Sequence, residues 1–443
     1  MHKDSFLVEG ISGAHTLEGE IPVGGAKNGV LKAMAAAALF SGPVRYEHVP
    51  MIEDVLRLSE IIEGLGPRVE RSLDGTMRID GGLFETSDLD TTLGKRLRAS
   101  VVLTGPLLAR LGTVSFPFPG GCVIGPRPID LFLENFERMG VVVSEKENRF
   151  HLKAKKGGLL GADIFFRLQS VTATETFMMA AVLAKGTTTL RNCALEPEIE
   201  HLASFLNESG AQIRGAGTTT IVIEGTDLLV ARKPYVAMPD RVEAGSFLLL
   251  AALAGKDVSI TQCNPRHVEI VIEMLRLSGV PIDVGDNFIR VRRKGKKQPA
   301  LLPLSVRTHE YPGFPTDLQA PMVVYMTQAD GESNVFETIF EGRLRYTEDL
   351  VRMGADIRMF DTQRATIKGP TPLRGKEMEA PDLRAGLAYV IAGIVAEGTT
   401  TIRNAYYVDR GYAHIDERLR AIGVSITRVP ADEKLVVTPA VNV

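Results

Sequence analysis

Cys122 has the surroundings of a reactive group. It stands in Pro119-Gly120-Gly121-Cys122-Val123-Ile124-Gly125-Pro126-Arg127-Pro128-Ile129-Asp130, a loop that sets one thiol among glycines, prolines and an arginine. Glycine takes positive φ without steric cost, so such a loop can open and close over a ligand. A thiol is a nucleophile or a proton donor, and a guanidinium holds phosphate or carboxylate. The combination points to thiol chemistry on an anionic substrate beneath a movable loop. Asp317 is a second candidate, at a helix start in Tyr311-Pro312-Gly313-Phe314-Pro315-Thr316-Asp317. A carboxylate there serves as a helix cap or as a general base. Cys193 and Cys263 lie beside strands and read as ordinary buried cysteines.

These groups need a frame, and internal repetition supplies one. Six times, about 70 residues apart, an apolar helix-like run reaches a glycine and a short β-branched strand follows. The junctions are Gly42, Gly112, Gly186, Gly255, Gly331 and Gly398. A second helix comes next, as at 202–210, 271–279 and 415–423, with apolar residues at three- and four-residue steps and glycine as C-cap. The unit reads strand, helix, strand, helix, then one or two strands. This predicts an α/β protein of six such units, three per lobe. The lobes should part near Ala231-Arg232-Lys233-Pro234-Tyr235-Val236. One lobe then spans 26–236 with Cys122; the other combines 1–25 and 237–443 and carries Asp317, with the active site expected in the cleft between them. The N-terminal segment 6–20 is expected as one strand that completes the last unit.

On this frame, first helices begin at Lys27-Asn28, Arg98, Ser170, Asp240-Arg241, Asp317 and Arg384. At the turn before the second helix stand Glu53-Asp54, Arg127, Glu196, Asn264, Arg343 and Arg410. Helix N-termini carry unpaired N–H groups and partial positive charge, which favours anions. Lys27, Arg98, Arg127, Arg343, Arg384 and Arg410 at such ends predict a polyanion site, although 51 basic and 54 acidic residues leave a net charge of −3.

The same composition narrows the partners. No basic tail or stripe favours nucleic acid. Three scattered cysteines without CxxC fit a reducing cytoplasm, and the charged N-terminus does not read as a signal peptide. Apolar runs such as 33–40 fall short of the roughly 18 residues that span a bilayer. Histidine spacing suggests no metal site, and neither GxxxxGK[ST] nor GxGxxG is present, so no metal or cofactor is expected.

Four motifs together resemble the UDP-N-acetylglucosamine 1-carboxyvinyltransferase family: Gly24-Gly25-Ala26-Lys27-Asn28, the Cys122 loop through Asp130, Phe314-Pro315-Thr316-Asp317, and Asp409-Arg410-Gly411-Tyr412. The resemblance runs almost end to end. It implies a two-lobed inside-out αβ barrel, with transfer of enolpyruvyl from phosphoenolpyruvate to the 3-hydroxyl of the nucleotide sugar. That reaction is the first committed step of peptidoglycan synthesis, hence of cell-wall growth, shape and division. It further implies Cys122 as proton donor and target of fosfomycin, and Asp317 as base. Lys27, Arg127 and Arg410 would clamp phosphate, with Arg343 and Arg384 beside them. Asn28 and Arg98 would orient substrate, Arg127, Pro128, Ile129, Asp130 and Leu131 would line the uridine, Ser170 and Val171 would contact the diphosphate, and Ile339 would touch the nucleotide sugar. Leu168, Phe132 and Leu195 depart from the family pattern, where lysine, histidine and arginine are common. They bear on nucleotide affinity and keep two alternatives open: an enolpyruvyl transferase for another alcohol such as shikimate 3-phosphate, and a non-catalytic nucleotide-sugar sensor.

Overall fold

The computed structural model describes residues 4–89, 98–118, 129–293 and 299–430, with backbone alone at 98–100. The chain divides into two compact units. One is built from 1–23, 241–309 and 314–443, the other from 24–240 and 310–313.

Helices come in two kinds, and composition explains both. The first helix of a unit is apolar nearly all round and is therefore buried. In Arg241–Ala254 every residue from Val242 onward is buried, and Leu383–Val395 is buried from Arg384 onward. The second helix is amphipathic: Glu53–Gly64 buries Val55, Leu58, Ile61 and Ile62 on one face. Pro197–Glu208 and Glu269–Leu277 follow the same pattern. Polar residues at the start of a buried helix therefore lie in the interior and must find partners.

Six sheets flank these helices among the described residues, five of four strands and one of three. A complete example is Ser305–Arg307, Gly331–Phe336, Arg364–Gly369 and Asp356–Met359, in that spatial order. Its first two strands run parallel across the buried helix Gln319–Met326, and the rest are antiparallel. The expected junction glycines are left-handed at Gly112, Gly186, Gly331 and Gly398, where positive φ stops the helical run. At Gly255 the reason is space: a Cβ would lie 2.6 Å from the Ala251 carbonyl oxygen.

The segment 6–20 is not one strand but two. Ser5–Glu9 pairs antiparallel with both Thr399–Arg403 and Ile426–Val429, and so completes the last sheet. Leu17–Pro22 runs parallel to Gly255–Thr261 in a different sheet. Gly10 approaches Ala396 too closely for any Cβ, and Ser12 and Gly13 take positive φ, which ends the first strand and turns the chain. The other unit is closed in an analogous way, because Tyr235–Val236 pairs parallel with Pro43–Glu47.

Candidate active site

In the unit that carries Asp317, three residues far apart in sequence meet. Asp317 lies in a short 3-10 turn, Thr316–Leu318, that leads into Gln319–Met326. Arg343 opens the turn Arg343–Tyr346, and Arg384 is the second residue of the buried helix Leu383–Val395. Arg343 Nη2 donates to Asp317 Oδ1 at 2.8 Å. Arg384 donates to Oδ2 from Nε at 3.2 Å and from Nη2 at 3.0 Å. Both arginine side chains are 5% exposed and the aspartate 28%, so the anion is the reachable member of the cluster. Two buried guanidinium groups cannot lose their protons, and without an anion they would be strongly unfavourable here.

The second layer of this cluster comes from hydroxyls and one further acid. Arg384 Nη1 donates to Tyr412 Oη at 2.9 Å, which lies 3.3 Å from Ser246 Oγ. Arg343 Nη1 donates to Thr316 Oγ1 at 2.7 Å, and its guanidinium stands 5.3 Å from the Phe340 ring centroid. Thr316 in turn donates to Glu337, a carboxylate with no exposure at all. Ile339 follows directly, with its amide bonded to Glu337 Oε1 at 2.8 Å. Arg410 is half-buried just after the short helix Tyr406–Asp409, and Arg428 holds the neighbouring Asp409 with two bonds of 2.7 and 2.8 Å.

In the other unit a buried helix carries two lysines with acid partners. Lys27, first residue of the buried helix Lys27–Ala36, ion-pairs with Asp54 at 2.7 Å while its amide donates to Asp240 Oδ2 at 3.1 Å. Asn28 follows, half-buried. Further along the helix Lys32 Nζ lies 3.1 Å from Glu175 Oε2, deep in the interior. Burial raises the Glu175 carboxyl to about 7 despite the attraction of Lys32, with Glu198 and Glu196 adding to the rise. Desolvation therefore outweighs the ion pair.

Ser170 caps the helix Val171–Val182 by accepting from the Ala173 amide at 3.2 Å, so its hydroxyl oxygen has a structural task. Ile129, Asp130 and Leu131 form the start of the helix Asp130–Arg138, with Asp130 exposed. Phe132 is a core residue whose ring lies 6.2 Å from Phe177; Leu168 is 67% exposed, and Leu195 is half-buried. Burial pushes the Cys193 thiol up to about 12 and Cys263 up to about 11. Cys122, Arg127 and Pro128 lie outside the described residues, as does the side chain of Arg98. Glu337, Thr316 and Glu175 escaped assignment from sequence, since nothing local marks an acid at a strand end or inside an apolar helix as a hub. Among the described residues no group of three or more His, Cys, Asp or Glu is arranged to hold a metal ion.

A family model described as EPSP synthase (3-phosphoshikimate 1-carboxyvinyltransferase) matches residues 11–419. The enolpyruvyl transferase NikO from Streptomyces tendae superposes with a TM-score of 0.84 at 24% identity, covering 97% of this chain and 100% of that one. EPSP synthase from Acinetobacter baumannii gives 0.71 at 19% identity, covering 96% and 100%. The fold is that of the enolpyruvyl transferases. UDP-N-acetylglucosamine 1-carboxyvinyltransferase of Desulforapulum autotrophicum is 41% identical over 419 residues, 95% of this chain and 99% of the relative. Its namesake in Koribacter versatilis is 41% identical over 430 residues, 96% of each. The chain belongs to the UDP-N-acetylglucosamine 1-carboxyvinyltransferase family.

Proposed function

We propose that this protein transfers the enolpyruvyl group of phosphoenolpyruvate to the 3-hydroxyl of UDP-N-acetylglucosamine and releases phosphate. Identity of 41% across 95% of the chain to a relative named for that reaction carries the reading. In the addition step the sugar oxygen bonds to C2 of phosphoenolpyruvate. The hydroxyl proton leaves to a base, and the C3 methylene takes a proton to become methyl. In the elimination step the C2–phosphate oxygen bond breaks, a methyl proton departs and the double bond re-forms.

The residue roles are part of the proposal. Asp317 takes the hydroxyl proton, which fits a carboxylate more exposed than the arginines that hold it. Arg343 and Arg384 bind an anionic group of the substrate, and Lys27, Arg127 and Arg410 hold phosphate. Asn28, Arg98, Ile129, Asp130, Leu131, Ser170, Val171 and Ile339 contact the nucleotide sugar. Cys122 supplies the C3 proton and is the residue that fosfomycin alkylates. Cations lower a thiol pKa, yet a general acid must keep its proton, so substrate anions must offset those cations before transfer. We place the reaction in peptidoglycan synthesis in the cytoplasm. No described helix is long and apolar enough to cross a membrane.

Phosphate release from phosphoenolpyruvate, with UDP-N-acetylglucosamine or shikimate 3-phosphate as acceptor, tests the reading. Release with the nucleotide sugar alone is expected, and Cys122→Ala should abolish it. Release with shikimate 3-phosphate would move the assignment to the other acceptor. Nucleotide-sugar binding without any release would leave the sensor.

A further inference from the structure

We propose that Glu337 is a positioning residue for Arg343, and through it for Asp317; the kinetic part of this inference rests on the transferase reading above. Glu337 directly follows the strand Gly331–Phe336 and has no exposed surface. An acid with no water must have every oxygen answered by donors. Its Oε2 accepts from Thr316 Oγ1 at 2.8 Å. Its Oε1 accepts from Thr308 Oγ1 at 3.1 Å and from the amides of Ile339 at 2.8 Å and Phe340 at 3.0 Å. No cation is among these donors, so its neighbours hold it as a hydrogen-bond hub rather than an ion pair.

Both routes from this hub end on one guanidinium. Thr316 has a single hydroxyl proton, and giving it to Glu337 turns an oxygen lone pair toward Arg343 Nη1, 2.7 Å away. The Phe340 amide fixes the turn whose ring lies beneath the same guanidinium at 5.3 Å. Arg343 is thus held at one nitrogen and on one face, which leaves Nη2 aimed at Asp317 Oδ1 at 2.8 Å. Guanidinium nitrogens are planar and fixed relative to one another, so fixing Nη1 sets Nη2. Glu337 touches none of the groups that we place on substrate except through these intermediaries and the Ile339 amide.

Two substitutions isolate the Thr316 route. Thr316→Val keeps the shape and removes the hydroxyl. Glu337→Gln keeps an oxygen for Thr308, Ile339 and Phe340 but turns an NH2 toward Thr316, whose oxygen must then accept from that NH2 as well as from Arg343 while its proton loses the acceptor that oriented it. Crystal structures of both variants are expected to show the Arg343–Asp317 bond opened beyond hydrogen-bond distance in an unchanged fold. Each should lower kcat about tenfold to a hundredfold with KM for UDP-N-acetylglucosamine within about threefold of wild type. The double variant should be no worse than either single one, because both break one chain. Thr316→Ser should restore kcat. An Arg343–Asp317 bond still in place in both variants, or losses that multiply in the double variant, would overturn the inference. An inactive wild type would instead refute the transferase reading, and the two crystal structures would still decide the role of Glu337.

Discussion

The charge clusters around Asp317 in one unit and around Lys27 and Lys32 in the other are held by different means. Around Asp317, planar guanidinium forks meet a carboxylate, and each fork is steadied by a hydroxyl, Thr316 on Arg343 and Tyr412 on Arg384. Around Lys27 and Lys32, compact ammonium groups meet carboxylates, and one of those acids, Glu175, is pushed up to about 7 by burial. The first arrangement is directional; in the second, burial leaves the Glu175 carboxyl responsive to pH. Geometry is guarded around Asp317, and protonation is adjustable at Glu175.

The largest expected effect tests the directional side. Asp317→Asn keeps the shape but cannot take a proton, and kcat should fall about a thousandfold in the phosphate-release assay. Activity within tenfold of wild type would mean that Asp317 only fills the arginine forks.

A smaller effect tests the titrating side. The folded pKa of Glu175 lies above its ordinary 4.5, so its stabilising contribution is full below that value and is lost as pH rises through about 7. Glu175→Gln should flatten the denaturation midpoint over that window. Lys32→Ala removes the attraction that favours the charged form, so its destabilisation should be about 1 kcal/mol larger at pH 8 than at pH 6. Parallel stability–pH curves for wild type and both variants would erase the contrast between the units.

Arg384→Lys sharpens it. One ammonium cannot reach Asp317 twice and Tyr412 as well, so kcat/KM should drop about tenfold, equivalent to about 1.4 kcal/mol. An equal rate would show that charge alone suffices there. The smallest change is expected from Leu168→Lys. At an exposed position near the helix that starts at Val171, a new cation should lower KM for UDP-N-acetylglucosamine about threefold and leave the melting temperature unchanged. A rise in KM would count against a diphosphate near Ser170.

Much of the frame was legible because it is written locally. Thr187–Arg191 and Thr399–Arg403 follow left-handed Gly186 and Gly398, a signal that needs no tertiary knowledge. Repetition then placed Lys27, Asp317, Arg343 and Arg384 at helix or turn starts, where the structure has them. What stayed hidden depends on distant partners. Nothing around Glu337 distinguishes it from a surface acid until Thr316 and Phe340 are seen beside it. The two-strand character of 6–20 depends on Ala396, which crowds Gly10 from nearly four hundred residues away. Whether Lys32 is a surface lysine or a buried one turns on Glu175, on another helix.

The strand Ser5–Glu9 has a consequence for biogenesis. Phe6 and Val8 are wholly buried only when Thr399–Arg403 flanks the strand on one side and Ile426–Val429 on the other. At about 5–20 residues per second, a ribosome adds the intervening chain in roughly 20 to 80 s. For that interval a strand with two apolar residues on one face has no native neighbour, and the unit that carries Asp317 cannot finish its last sheet. Nascent chains halted shortly before residue 399 should therefore leave this segment open to proteases or chaperones, while 24–240 already contains every described strand of its unit.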